Sequence, residues 1–286
     1  MQGTFFVSGA TGNVGKEVIK HLLEKGQKVI AAKRHQDLSS DKENLIFRHF
    51  DFLDSKTWDG CLEGVNKVFL MRPPHISKIK RDMYPFMKYM KDKGIQHVVF
   101  LSVQGAEKNK LVPHQKIEVF LGELEIPYTF VRPSFFMQNL TTTHLPEIRD
   151  DRMIFVPAGK GKTNFIDVRD IGKIITLMFF DSKHINKAYT ITGDRSYSYQ
   201  EVADYLSDGL NRKIEYVSPN PARFVAFHLK RGRKLAMTLV MLALYSLVKS
   251  GKADITSTTS KEILGRETIS LEEFIRDHKN ILLGDI

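Results

Sequence analysis

The sequence predicts an α/β fold of the doubly wound kind, a parallel sheet with helices on both faces. Two observations carry that prediction. Through the first half of the chain, short β-branched runs alternate with segments of helical period, and parallel strands need such crossover connections. The chain also enters an apolar strand at once and passes through a glycine-rich turn, GATGNVG, into a helix, which is how doubly wound sheets commonly open. With 286 residues, 42% hydrophobic and 27% charged, there is material for a large core.

The elements follow in order. Thr4 to Ser8 reads as a strand, and Val14, Val18, Ile19, Leu22 and Leu23 then share one helical face that Gly26 ends. Lys28 to Ala32 is the next strand. Further apolar runs at Leu45 to Phe50, Lys67 to Met71, His97 to Leu101 and Tyr128 to Val131 are separated by helical segments around 79–93 and 114–125. From about residue 155 the alternation loosens. FIDVRDIGKIITLMF gives a short strand and a helix that Asp167 or Asp170 is placed to cap. YTITGDRSYSYQEVADYL repeats the pattern, with Ser198 and Glu201 at capping-box spacing. These elements divide the chain into a first domain, 1–155, and a smaller, mostly helical lobe, 156–286, packed intimately against it.

Charge and cysteine usage narrow the partners. The formal charge of +10 favours acidic ones: nucleotide phosphates, nucleic acid or anionic lipid. The densest basic cluster, Lys230, Arg231, Arg233 and Lys234, has no interleaved aromatic residue to stack bases, so it reads as a solvated helix end rather than a nucleic-acid contact. The apolar run Leu235 to Val248 falls short of the roughly 20 residues that span a bilayer. It reads as a buried helix, or as one lining a pocket or partner surface. Cys61, the single cysteine, has no partner for a disulfide or a zinc site, and no metal is expected. The N-terminus lacks a secretory pattern, so a cytoplasmic location is expected.

The strongest chemical signal is the turn itself. Gly9, Gly12 and Gly15 follow a strand and open a helix, the context of a Rossmann-type dinucleotide site. The first glycine permits the tight turn, the second lets backbone approach a pyrophosphate, and the third lets helix and strand pack. Thr11, Asn13 and Val14 complete the loop, whose backbone N–H groups face the phosphates at the helix N-terminus. An NAD-preferring site places a carboxylate at the end of the second strand. Here the strand ends in Lys33, Arg34 and His35. A guanidinium there holds a 2′-phosphate by charge-assisted hydrogen bonds, so Arg34 favours NADP, NADPH when reduced, over NAD. Met71, Arg72 and Pro73, after the fourth strand, are placed to border the ribose and pyrophosphate.

The glycine spacing is GxxGxxG. Together with YTFVRPSFFMQNL at 128–140, FIDVRDIGK at 165–173 and TSTTSKEILGRETISLEEFIRDH at 256–278, it resembles the NmrA-like family of atypical short-chain dehydrogenases, which includes quinone-oxidoreductase-like and redox-sensor members. The resemblance runs over nearly the whole chain. It implies that Asp51 accepts a hydrogen bond from the adenine amino group, with the Phe52 backbone helping. It also implies that Ser102, Val103, His114 and Pro133 lie along the cofactor.

The chain departs from conventional short-chain dehydrogenases in one respect. Those enzymes pair a strand-end serine with YxxxK, whose tyrosine protonates the product. Ser102 is present, but no tyrosine occurs between Tyr89 and Tyr128; the likeness puts Lys110 near the tyrosine position and His114 near the lysine. His114 is the one candidate catalytic acid, and Glu118, one turn on, is placed to orient it; a ribose contact or a helix cap serves equally well. A quinone or similar small electrophile needs no protein acid, because solvent can protonate the product. Phe135, Phe136, Met137 and Asn139, after the sixth strand, would wall the acceptor or pack between the lobes. Two readings follow: an NADPH-dependent oxidoreductase, or a non-catalytic NADP sensor acting on a regulatory protein partner. Without YxxxK, sugar-nucleotide epimerisation is disfavoured, and oligomeric state stays open.

Overall fold

A computed structural model describes residues 3–34 and 42–285. Its first six strands are β1 (Thr4–Val7), β2 (Lys28–Lys33), β3 (Leu45–His49), β4 (Lys67–Met71), β5 (His97–Leu101) and β6 (Tyr128–Pro133). Six more are shorter or later: β7 (Phe135–Phe136), β8 (Met153–Phe155), β9 (Lys162–Ile166), β10 (Lys187–Ile191), β11 (Ser196–Ser198) and β12 (Glu215–Val217). Seven of them build one sheet in the order β10-β6-β5-β4-β1-β2-β3. Every pairing in it is parallel. The doubly wound prediction is therefore met.

Side chains alternate across this sheet and each face finds a helix layer. Phe6, Ile30, Leu70 and Phe100 join Phe86, Met87, Ile117 and Leu121 in one buried cluster. On the other face Phe5 meets Phe179 edge-on at 5.2 Å. Helix α1 (Asn13–Glu24) buries Val14, Val18, Ile19 and Leu22. Gly26 ends it in a left-handed conformation, φ +68°, which a side chain would strain. The Val168–Met178 helix lies so close to α1 that a Cβ on Gly172 would sit 2.4 Å from Glu17 Cβ. The single helix expected around 79–93 is instead two, Ile79–Asp82 and Tyr84–Asp92, because Pro85 has no N–H to continue the first. Cys61 is fully buried; burial pushes its thiol up to about 12, and its Sγ lies 3.1 Å from Thr57 O.

Two compact units share the chain. One holds the chain through Pro133, then Val168–Ile191 and Glu262–Gly265; the other holds Ser134–Asp167, Thr192–Lys261 and the chain from Arg266. This differs from the single boundary expected at residue 155, and strand pairing gives the reason. β10, the YTIT run read as opening a second strand-helix repeat, pairs with β6 at the edge of the main sheet.

The second unit pairs β9 with β7 in parallel and with β11 antiparallel, and pairs β8 with β12. Met137, Phe155, Phe165, Tyr199, Phe224 and Phe274 belong to its core. Ser198 and Glu201 form the expected capping box at the start of the Tyr199–Leu210 helix.

Candidate cofactor site

The carboxyl ends of β1 and β4 meet under the glycine turn. Met71 N–H donates to Ser8 Oγ at 2.8 Å, and Gly12 N–H closes the turn on Gly9 O at 2.9 Å. Gly9 takes φ +64°, and a Cβ on it would stand 2.1 Å from Met71 Cε. A Cβ on Gly15 would stand 2.2 Å from Gly9 O and 3.0 Å from Ala10 Cα. Methionine can swing away, but those backbone atoms cannot, so Gly15 is the glycine that packing demands.

Gly12 is the N-cap of α1, and no side chain caps it among the described residues. The first-turn N–H groups therefore keep their donors and their positive partial charge for a ligand. Thr11 and Asn13 are exposed beside them, whereas the Val14 side chain faces the core. A shallow cradle of backbone donors under paired glycines fits a dinucleotide pyrophosphate.

Arg34 is exposed at the end of β2. Beside it, the Lys33 ammonium lies 4.0 Å from the Phe47 ring centre. His35 lies outside the described residues. After β3, Asp51 Oδ1 accepts from Leu53 N–H at 2.9 Å, while its main-chain oxygen accepts from Trp58 Nε1 at 2.8 Å. Asp54 caps the next turn. The Phe52 side chain is buried against Phe50 and Phe86. Arg72 has turned into its own loop: its Nη1 donates to the carbonyls of Pro73, Pro74 and Ile76 at 3.0, 3.1 and 2.6 Å.

The ends of β5 and β6 hold a network that the sequence did not announce. Ser102 Oγ donates to Glu118 Oε1 at 2.6 Å. Arg132 grips the same carboxylate with Nε at 3.0 Å and Nη2 at 2.6 Å, and reaches Glu107 with Nη1 at 3.2 Å. Glu118 therefore does not orient His114, as its spacing had implied. A lone arginine on an apolar strand and a glutamate among Ile117 and Leu121 on a buried helix face were the available signals.

His114 stands on the same helix with different neighbours. Arg72 Nε lies 3.4 Å from its Nε2. Arginine only donates, so Nε2 accepts and Nδ1 carries the hydrogen. That Nδ1 is buried and finds no partner among the described residues. Burial and then the Arg72 charge hold the imidazole down to about 4, which corrects the expectation of a histidine titrating near neutrality. Lys110 is exposed.

Val103 is half-buried and the main-chain oxygen of Pro133, at the end of β6, accepts from Gln104 N–H at 3.2 Å. Phe135, Phe136, Met137 and Asn139 belong to the second unit. There Phe135 packs its ring 6.2 Å from Phe165 and 6.4 Å from Tyr245, and Met137 is fully buried. Phe136 and Asn139 stay half-exposed. Among the described residues no group of three or more histidine, cysteine or acidic side chains could hold a metal.

Comparison with known proteins places this geometry in a family. Prestalk A differentiation protein A of Dictyostelium discoideum is 29% identical over 279 residues, spanning 96% of this chain and 92% of its own. The NAD(P)H azoreductase of Xenophilus azovorans is 28% identical over 283 residues, spanning 95% and 96%. Among solved structures, the NADPH-dependent quinone oxidoreductase of Escherichia coli in complex with NADPH matches with a TM-score of 0.85 at 20% identity, covering 96% of this chain and 99% of that one. The sequence profile of the NmrA-like family matches residues 1–275, so that this chain, glycine turn and parallel sheet included, belongs to the NmrA-like family.

Proposed function

We propose that this chain binds NADP(H) and uses NADPH to reduce a quinone, an azo compound or a similar electron-poor small molecule in the cytoplasm. The observation that carries the reading is the Ser102–Glu118 hydrogen bond. The serine that would polarise a carbonyl beside a tyrosine has its single O–H committed to a buried carboxylate, and no tyrosine stands near it in sequence. A reaction that needs no protein acid suits such a site. The azoreductase and quinone oxidoreductase activities named for its relatives support the same reading.

The roles of the residues follow from their placement. The N–H groups of Asn13 and Val14 would hold the pyrophosphate at the uncapped start of α1. Arg34 would hold the 2′-phosphate. The cofactor supplies the hydride. His114 stays neutral and would donate its Nδ1–H to a bound ribose or carboxamide oxygen, which makes it a positioning group. The Glu118–Arg132 pair holds Ser102 still. In the second unit, Phe135, Phe136, Met137 and Asn139 would shape the acceptor pocket.

Two measurements on the purified protein test the reading. Calorimetric titration should show NADPH binding more tightly than NADH, and Arg34→Asp should reverse that preference. Absorbance at the reduced nicotinamide band should then fall when quinones or azo dyes are added. Tight binding without oxidation across the panel would replace the reductase by the sensor.

A further inference from the structure

The Leu235–Lys249 helix departs from the rule that a helix apolar on every side is buried on every side. Thr238, Met241, Tyr245 and Val248 face the core of the second unit. Across the remaining arc, Leu235, Met237, Leu239, Val240, Leu244 and Leu247 are 43 to 54% exposed, and no charged residue lies between Leu235 and Val248. Isolated exposed leucines are ordinary, but a row of them along one helix marks an interaction surface.

The flanks say what it meets. Between Glu215 and Asp254 the chain has no acidic residue at all. Lys230 and Lys234 precede the helix, Lys249 is its last residue and Lys252 follows it, all four exposed. Two nearby cations are committed elsewhere, Arg231 to Asp151 at 2.5 Å and Arg233 to Thr143 O at 3.0 Å. We propose that this face is a docking surface for an anionic lipid bilayer, with the helix lying in the interfacial plane.

Three facts fit that occupant. An apolar stripe between lysines is the pattern of helices that sink one face into the headgroup boundary. Four lysines at an anionic surface add to the partition coefficient about fivefold each. The helix is too short to cross, and among the described residues none is long and apolar enough to do so. A second copy of the chain fits poorly, because a two-fold contact on this face would bring its lysines against their own kind.

Flotation of the full chain with vesicles tests this. Vesicles of phosphatidylcholine with one-third phosphatidylglycerol should carry the protein up the gradient, and pure phosphatidylcholine vesicles should leave it behind. Leu239→Gln with Val240→Gln should lower binding at least tenfold. Lys230→Gln with Lys234→Gln should lower it about twenty-five-fold, and high salt should lower it too. Both double variants alter exposed side chains, so melting should stay at the parent temperature; if the first unfolds, the lysine pair alone decides. Equal binding to both vesicle types, or none to the anionic ones, would overturn the proposal. So would a dimer in sedimentation that Leu239→Gln with Val240→Gln dissolves.

Discussion

Replacing Glu118 with leucine removes the carboxylate at the centre of the β5–β6 network. Glu118 is 6% exposed and Ser102 2%, so water does not replace what is lost. Stranding the partner of a buried ion pair costs about 3 to 5 kcal/mol. Arg132 retains the exposed Glu107 at 3.2 Å, which places the cost at the low end, about 3 kcal/mol. The orphaned Ser102 hydroxyl adds about 1 kcal/mol. The sum, about 4 kcal/mol, should lower the melting temperature by about 8 to 16 °C in a chain of this size. Differential scanning calorimetry and urea unfolding both read this directly. Adding Arg132→Met removes the stranded guanidinium and should recover more than half of the loss. A shift under about 3 °C for Glu118→Leu, or a double variant no better than the single one, would refute the account of a buried, mutually dependent network.

Gly15→Ala should prevent nucleotide binding, because a methyl group 2.2 Å from Gly9 O must move the turn; a calorimetric titration on folded variant protein checks it. His114→Phe should weaken NADPH binding about fivefold through one lost hydrogen bond of about 1 kcal/mol, and turnover should keep the parent's pH profile between 6 and 8. Stability should fall in acid. His97 is held to about 4 and His144 to about 3, both mainly by burial, from an ordinary 6.5. Below 6.5 the unfolded chain takes up protons that the folded chain refuses, so each histidine removes about 1.4 kcal/mol per pH unit. Above 6.5 neither contributes. Thermal melts from pH 7.5 to 5 should show that slope, and His97→Asn should reduce it.

How far the sequence reaches differs between its local and its long-range parts. The starts of the first six strands and the position of α1 are legible because hydrophobic period and glycine punctuation are local. The glycine turn is legible for the same reason, and at Gly15 a Cβ would stand 2.2 Å from Gly9 O. What pairs with β10 is not written in YTIT itself; the open edge of β6 decides it. Arg132, Glu118 and Ser102 come from a strand, a helix and another strand end, so only the folded chain brings their charges together. His114 reads as a titrating group from its residue type, but burial and the neighbouring Arg72 guanidinium keep it neutral.

The return of the chain to its first sheet has a consequence for synthesis on the ribosome. Until residue 191 has left the exit tunnel, β6 presents a bare row of amides and carbonyls with no neighbour. Such an unpaired edge is where nascent chains stick to one another. A gene fragment ending near 155 would keep that edge open for good, and only a longer one that includes Lys187–Ile191 should yield dispersed material.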